Sequence, residues 1–328
     1  MTQPVQADAS TFDDVVLPSQ TAVPLTRMRS NLLLLLVALI WGSAFVAQAV
    51  AARHIGSLTF TGLRFALGAA IVAPFAWREW RMLAARRRQP RPRDLAHIAG
   101  LGALLFMGAA MQQVGMLTTT VTNTGFLSAL YIPLVPVMGW LASRQRPHWT
   151  TWVAAAGCVA GSWLLTGGGS LSAFRAGDWW VIASCLPWTV HVMLVGRAAN
   201  RLHGALLVAC GQFIACSALA LSLGLATEPL SADGLAQALW PIAYTGVLSV
   251  GLGFTLQVVA QRHTRPADSA IVLSSETVFT AAFGAVFMGD RMGASGLAGC
   301  ALILACILVV QLQPIVGRWF ADARTKTA

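Results

Sequence analysis

Residues 31–51 read NLLLLLVALIWGSAFVAQAVA, and this stretch decides the fold. It runs 21 residues without a charge, and about 20 predominantly apolar residues are what an α-helix needs to cross the hydrocarbon of a bilayer. Arg27 and Arg29 precede it and small residues close it, an arrangement that imitates a secretory signal. The apolar run exceeds a signal core, however, and the 26 residues before Arg27 are polar, with acids at Asp8, Asp13 and Asp14. We read an uncleaved membrane helix behind a disordered tail.

The same pattern recurs along the chain. Nine further spans are expected at 58–77, 95–117, 123–141, 151–167, 178–195, 204–225, 238–260, 267–288 and 293–313. Hydrophobic residues make up 56% of the 328 and charged ones only 10%, against about 25% charged in ordinary soluble domains. Period-two alternation is absent, which excludes a β-barrel. The expected fold class is an all-α membrane protein.

The net charge of +10 invites a nucleic-acid reading that its distribution removes. With the ten spans threaded alternately, 18 of the 22 Arg and Lys fall on one side, among them Arg78, Arg81, Arg86, Arg87, Arg88, Arg91 and Arg93 in one loop. The other side keeps only Arg53, Arg175 and Arg291, while Arg64 lies within the second span. Positive charge resists translocation and is drawn to anionic inner-leaflet lipid. Both termini are therefore expected in the cytoplasm of a bacterial inner membrane, against an anionic lipid bilayer and with no nucleic-acid partner. The six cysteines all fall within spans and lack zinc-site spacing, so neither a metal nor a disulfide framework is expected.

Spans six to ten echo spans one to five. ALIWGSAFV places Trp41 where CLPWTVHVM places Trp188, 147 residues on; Arg64 aligns with Gln212, Gln113 with Gln257, and Gly157-Cys158 with Gly299-Cys300, at offsets of 148, 144 and 142. A near-constant offset at four separated places marks a duplication. An odd number of helices per copy forces the second to enter the membrane from the opposite face. The expected architecture is ten transmembrane helices as two inverted five-helix repeats around a central cavity, with alternating access between them. The expected boundaries are a tail at 1–30, repeats at 31–167 and 178–314, a linker at 168–177 and a second tail at 315–328.

The stretches WGSAF, LRF and LSSETVFTAAFGAVFMGDRM resemble the EamA-type transporters of the drug/metabolite transporter superfamily, with the similarity running from about Asn31 to Gln313. That resemblance implies spans 1, 3, 4, 6, 8 and 9 around the cavity, and export of amino acids or other small metabolites. An aromatic amino-acid exporter of the YddG type is one kind of member. The chain departs from the family pattern twice: Glu-Pro in span nine is Glu276-Thr277, and the first-copy Gly-Glu-Arg is Arg144-Gln145-Arg146, while Gly289-Asp290-Arg291 keeps a version in the second.

Glu276 is the sharpest single feature. A charge at the centre of a membrane helix costs about 2.5–3.5 kcal/mol on insertion scales, so it faces a partner or water. It is a candidate for pairing with a substrate ammonium or carrying a coupling proton; a structural carboxyl bonded within the bundle is the alternative. Its repeat mate is Tyr131 or Ile132, just before Pro133 and Pro136, whose missing donors are expected to kink span four. Trp41 and Trp188 lie mid-span rather than in the aromatic belt and are candidate walls of one cavity. His191 follows Trp188 on nearly the same helical face, and Ser275 adjoins Glu276; both are candidate substrate contacts, with interior hydrogen bonding as the alternative. Arg64 is read as a structural or snorkelling cation.

No phosphate loop, HExxH motif, histidine box or paired intramembrane aspartate is present, so neither ATP-driven pumping nor a membrane-embedded enzyme is expected, and no cofactor. A secondary exporter of small metabolites, amino acids above all, is the leading reading. A multidrug exporter of lipophilic cations is the competing one. Gly157-xxx-Gly161 matches a close helix-contact pattern, leaving a homodimer as a further candidate partner.

Overall fold

The computed structural model describes residues 24–143, 149–165, 174–264, 266–306 and 308–309. Most of both expected tails, residues 168–173 of the linker and Arg144-Gln145-Arg146 lie outside the described residues. Those described are helical or in short turns, with no strand among them.

The helices are α1 (Pro24–Ala51), α2 (Ser57–Ala85), α3 (Pro92–Gly115), α4 (Val121–Ser128), α5 (Tyr131–Ser143) and α6 (Trp149–Leu165). They continue as α7 (Ala176–Leu202), α8 (Ala205–Thr227), α9 (Ala232–Tyr244), α10 (Thr255–Gln261), α11 (Pro266–Leu273), α12 (Glu276–Phe283) and α13 (Ala294–Cys306). A wide π-helical stretch, Thr245–Phe254, joins α9 to α10, and another, Gly284–Met288, extends α12. Seven segments are long and apolar enough to cross a membrane, and three shorter apolar helices accompany them: Trp152–Leu165, Glu276–Met288 and Ala294–Cys306.

The expected fourth and ninth spans are each broken in the middle. In the fourth, α4 ends at Ser128 and α5 starts at Tyr131; Pro133 cannot donate to the Ala129 carbonyl, which instead accepts a tight bond from Ile132 N at 2.9 Å. In the ninth, α11 ends at Leu273 and α12 starts at Glu276 without any proline at the break. There, hydroxyls take up the acceptors: Ser275 Oγ donates to Val272 O at 2.6 Å and Thr277 Oγ1 to Ser274 O at 2.9 Å. The two breaks fall at one offset, 145 residues, and each eight-residue first half is followed after two residues by the second. Tyr131 and Glu276 are thus equivalent positions, which resolves the register that the sequence alone left open by one.

At the centre, α2 and α8 pack antiparallel. A Cβ on Gly62 would meet Leu221 Cγ at 2.5 Å, so the glycine permits close approach, and Ser217 Oγ donates to Gly62 O at 2.9 Å. The surrounding core joins Phe65, Phe213 and Phe254 with small residues of α3, α7 and α8. Gly157 and Gly161 face the chain's own α13, where added Cβ atoms would meet Cys306 and Ile303.

Candidate functional site

An aromatic trio sets the site. Phe254, at the end of the first π-helical stretch, stands between Trp41 of α1 and Trp188 of α7. Its ring centroid is 4.5 Å from Trp41, tilted by 48°, and 5.9 Å from Trp188 in a nearly parallel stack. Trp41 Nε1 donates to the Ser249 carbonyl at 3.1 Å. Each indole lies on a glycine of the other half of the chain: a Cβ on Gly253 would sit 2.7 Å from Trp41 Nε1, and one on Gly108 would sit 2.8 Å from Trp188 Cε2.

These rings wall a cavity of about 60 Å³. That is room for several water molecules, at roughly 10–15 Å³ each. Trp41, Phe45, Tyr131, Trp188 and Phe254 supply its aromatic surface. Gln48, Gln112, Gln257, Arg64 and Glu276 supply polar groups. The wall draws on α1, α3, the two broken spans, α7 and the π-helical stretch with α10, as the family resemblance implied, and adds α2 through Arg64.

Arg64 is 3% exposed. Its Nη1 donates to Gln48 Oε1 at 2.7 Å, its guanidinium carbon lies 5.3 Å from the centroids of both Phe60 and Phe65, and its Nε has no partner. Gln48 is fixed in turn, its carbonyl accepting from Gln113 Nε2 at 3.0 Å. No carboxylate pairs with Arg64 among the described residues. Glu276 opens α12 at the helix break, on the same cavity wall, and its carboxylate has no hydrogen-bond or ion-pair partner among the described residues. One uncompensated cation and one uncompensated anion therefore share a water-sized hollow. Gln212, which aligns with Arg64 in the second half, is turned to His191 instead, 2.8 Å from its Nε2.

Of the residues singled out from sequence, Trp41, Tyr131, Trp188 and Glu276 meet on this wall. His191 stands behind it, buried, edge-on to Trp188 at 6.1 Å and bonded to Gln212. Ser275 turns its hydroxyl back to Val272 in the helix break and is not on the wall. Arg64, Gln48, Phe45 and Phe254 are wall residues that sequence reasoning did not select. Arg64 carried a usable signal, since a charge inside an apolar span calls for a partner or a cavity; Phe254, one apolar residue among many, carried none.

The model of the EamA-like transporter family matches the chain twice, at residues 28–167 and 175–312. An uncharacterized transporter of Archaeoglobus fulgidus is 25% identical over 287 residues, covering 88% of this chain and 87% of that protein. The threonine/homoserine exporter RhtA of Salmonella typhimurium is 27% identical over 273 residues, 79% of this chain and 85% of its own. A probable terminal-alkyne amino-acid exporter of Streptantibioticus cattleyicolor is 24% identical over 301 residues, 86% and 93% of the two chains. One solved crystal structure has the same fold, with a TM-score of 0.62 at 18% identity over 87% of this chain and 98% of that one. With two matches that together take in most of its length, this chain belongs to the EamA-like transporter family.

Proposed function

We propose that the chain is a secondary exporter of small amino acids, carried as zwitterions through the hollow between two inverted five-helix repeats. The observation that carries this reading is the pairing of Arg64 with Glu276 on one wall, each without a counter-charge of its own. A desolvated charge lacking a partner is costly, and an ion of opposite sign repays that cost. An α-amino acid brings both at once: its carboxylate meets the guanidinium in the planar, bidentate geometry arginine favours, and its ammonium meets Glu276. Trp41, Tyr131, Trp188 and Phe254 then enclose the side chain, with their faces open to cation–π and stacking contacts.

A lipophilic cation would satisfy Glu276 and leave Arg64 facing a like charge, which disfavours the multidrug reading. The cavity volume points the same way, toward small solutes. The relatives whose names specify a solute are amino-acid exporters.

Ten spans in two inverted copies are supported by the two family matches, by the equal offset of the two broken spans, and by the reciprocal seating of each tryptophan on the other half's glycine. Rocking of one copy against the other would expose the hollow alternately to each face. Both termini face the cytoplasm on the charge distribution. No nucleotide site was found in the sequence; one proton moved along the field supplies about 2.3 kcal/mol per 100 mV, enough to drive export.

The test is a tolerance and efflux screen. Cells overexpressing the protein are expected to survive otherwise toxic amino acids and to release them faster than cells carrying an empty vector. Protection confined to bulky cationic drugs would overturn the proposal.

A further inference from the structure

A second concavity, about 400 Å³, lies between the start of α3 and the end of α7, away from the central cavity. Its composition is graded along the helices. Asp94 and Arg201 stand at its rim, joined at 3.2 Å. His97 and Arg197 come next, one turn deeper, and then Gly100, Leu104 and Leu194. From Arg201 to Leu194 the groove descends about 10 Å along α7, at 1.5 Å per residue. Leu194 is 40% exposed, and a Cβ on Gly100 would meet nothing within 4 Å, so the apolar floor is uncovered. The single carboxylate is taken by Arg201, which leaves Arg197 exposed and without a carboxylate among the described residues. Arg91 and Arg93 at the start of α3 add to the positive rim.

We infer that this groove is a binding site for one anionic phospholipid of the cytoplasmic leaflet, its phosphate held between Arg197, His97 and Arg201 and an acyl chain laid over Gly100, Leu104 and Leu194. The charge complementarity selects an anionic headgroup, and the change from charged to apolar within one headgroup depth selects a lipid over a soluble phosphate. Basic pockets between membrane helices on the cytoplasmic side hold anionic headgroups by this combination. The site does not touch Arg64 or Glu276, so it stands or falls independently of the proposed substrate.

The experiment is native mass spectrometry of the full chain in neutral detergent, titrated with phosphatidylglycerol, phosphatidylcholine or inorganic phosphate, alongside thermal unfolding in the same mixtures. The wild type is expected to retain one phosphatidylglycerol and to unfold at higher temperature with it, while phosphatidylcholine and inorganic phosphate do neither. Arg197→Gln is expected to weaken retention about fivefold, the factor corresponding to roughly 1 kcal/mol for one arginine near an anionic surface. Gly100→Leu, which fills the groove from a position with open space, should abolish retention without lowering the lipid-free unfolding temperature. Equal retention of the two lipids, the same stabilisation by inorganic phosphate, or unchanged phosphatidylglycerol binding by both variants would overturn the assignment.

Discussion

Glu79 and Glu228 cap each other's helices. Glu228, at the end of α8, accepts hydrogen bonds from Leu58 N at 2.9 Å and from Thr59 N and Oγ1 at 2.8 Å, at the start of α2. Glu79, near the end of α2, accepts from Leu207 N at 2.7 Å, at the start of α8. Both donors and both acids are separated by 149 residues, so one interaction is made twice, once at each end of an antiparallel pair. A carboxylate at a helix N-terminus meets unpaired N–H groups and the positive end of the dipole together.

Because Glu228 holds three donors and Glu79 one, their losses should differ. Hydrogen bonds to a charged group contribute about 1.5–3 kcal/mol each. Glu228→Ala is expected to lower the thermal unfolding midpoint in detergent more than Glu79→Ala does. Equal, negligible shifts would mean that neither carboxylate secures the α2–α8 pair.

The indole–glycine contacts predict a second asymmetry, between function and folding. Gly108→Ala and Gly253→Ala each place a methyl inside contact distance of Trp188 or Trp41. Overpacking of this kind costs about 1–3 kcal/mol, and here the atom that must give way is a cavity wall. Expression and membrane insertion should persist while efflux falls. Efflux at the wild-type rate in both variants would remove the two indoles from the transport path.

Phe254 tests the size of the hollow. Phe254→Ala removes the ring between Trp41 and Trp188 and is expected to cost about 3–5 kcal/mol where the space stays open. The enlarged cavity should admit bulkier amino acids and lose preference for small ones, read from competition by a graded series of side chains. An unchanged ranking would place the solute's side chain elsewhere.

Much of the architecture was legible in sequence because lipid imposes a coarse and strict rule. Helix ends moved by a few residues, as with α2, which runs on to Ala85 past the expected end at 77, since the charged, helix-forming residues there carry no apolar signal. The break in the fourth span followed from Pro133. The break in the ninth did not follow from the missing proline, because Ser274, Ser275 and Thr277 satisfy its acceptors through hydroxyls that compete with the helix ladder.

The site was half legible. Mid-span position and repeat equivalence found Trp41, Trp188, Tyr131 and Glu276. Arg64 was visible but assigned a structural role, since a sequence does not reveal that no carboxylate reaches it. His191 satisfied both of its readings by pattern; its hydrogen bond to Gln212 is a matter of how α7 meets α8, which no local pattern encodes.

The most direct measurement is counterflow in proteoliposomes with three matched solutes: an amino acid, the amine left by removing its carboxylate, and the acid left by removing its ammonium. The wild type should exchange the amino acid and neither of the others, and Arg64→Gln and Glu276→Gln should each lose that exchange by tenfold or more, roughly 1.4 kcal/mol, while remaining folded and inserted. Exchange of the amine as fast as the amino acid, or undiminished exchange in both variants, would contradict the pairing of these two charges across a bound zwitterion.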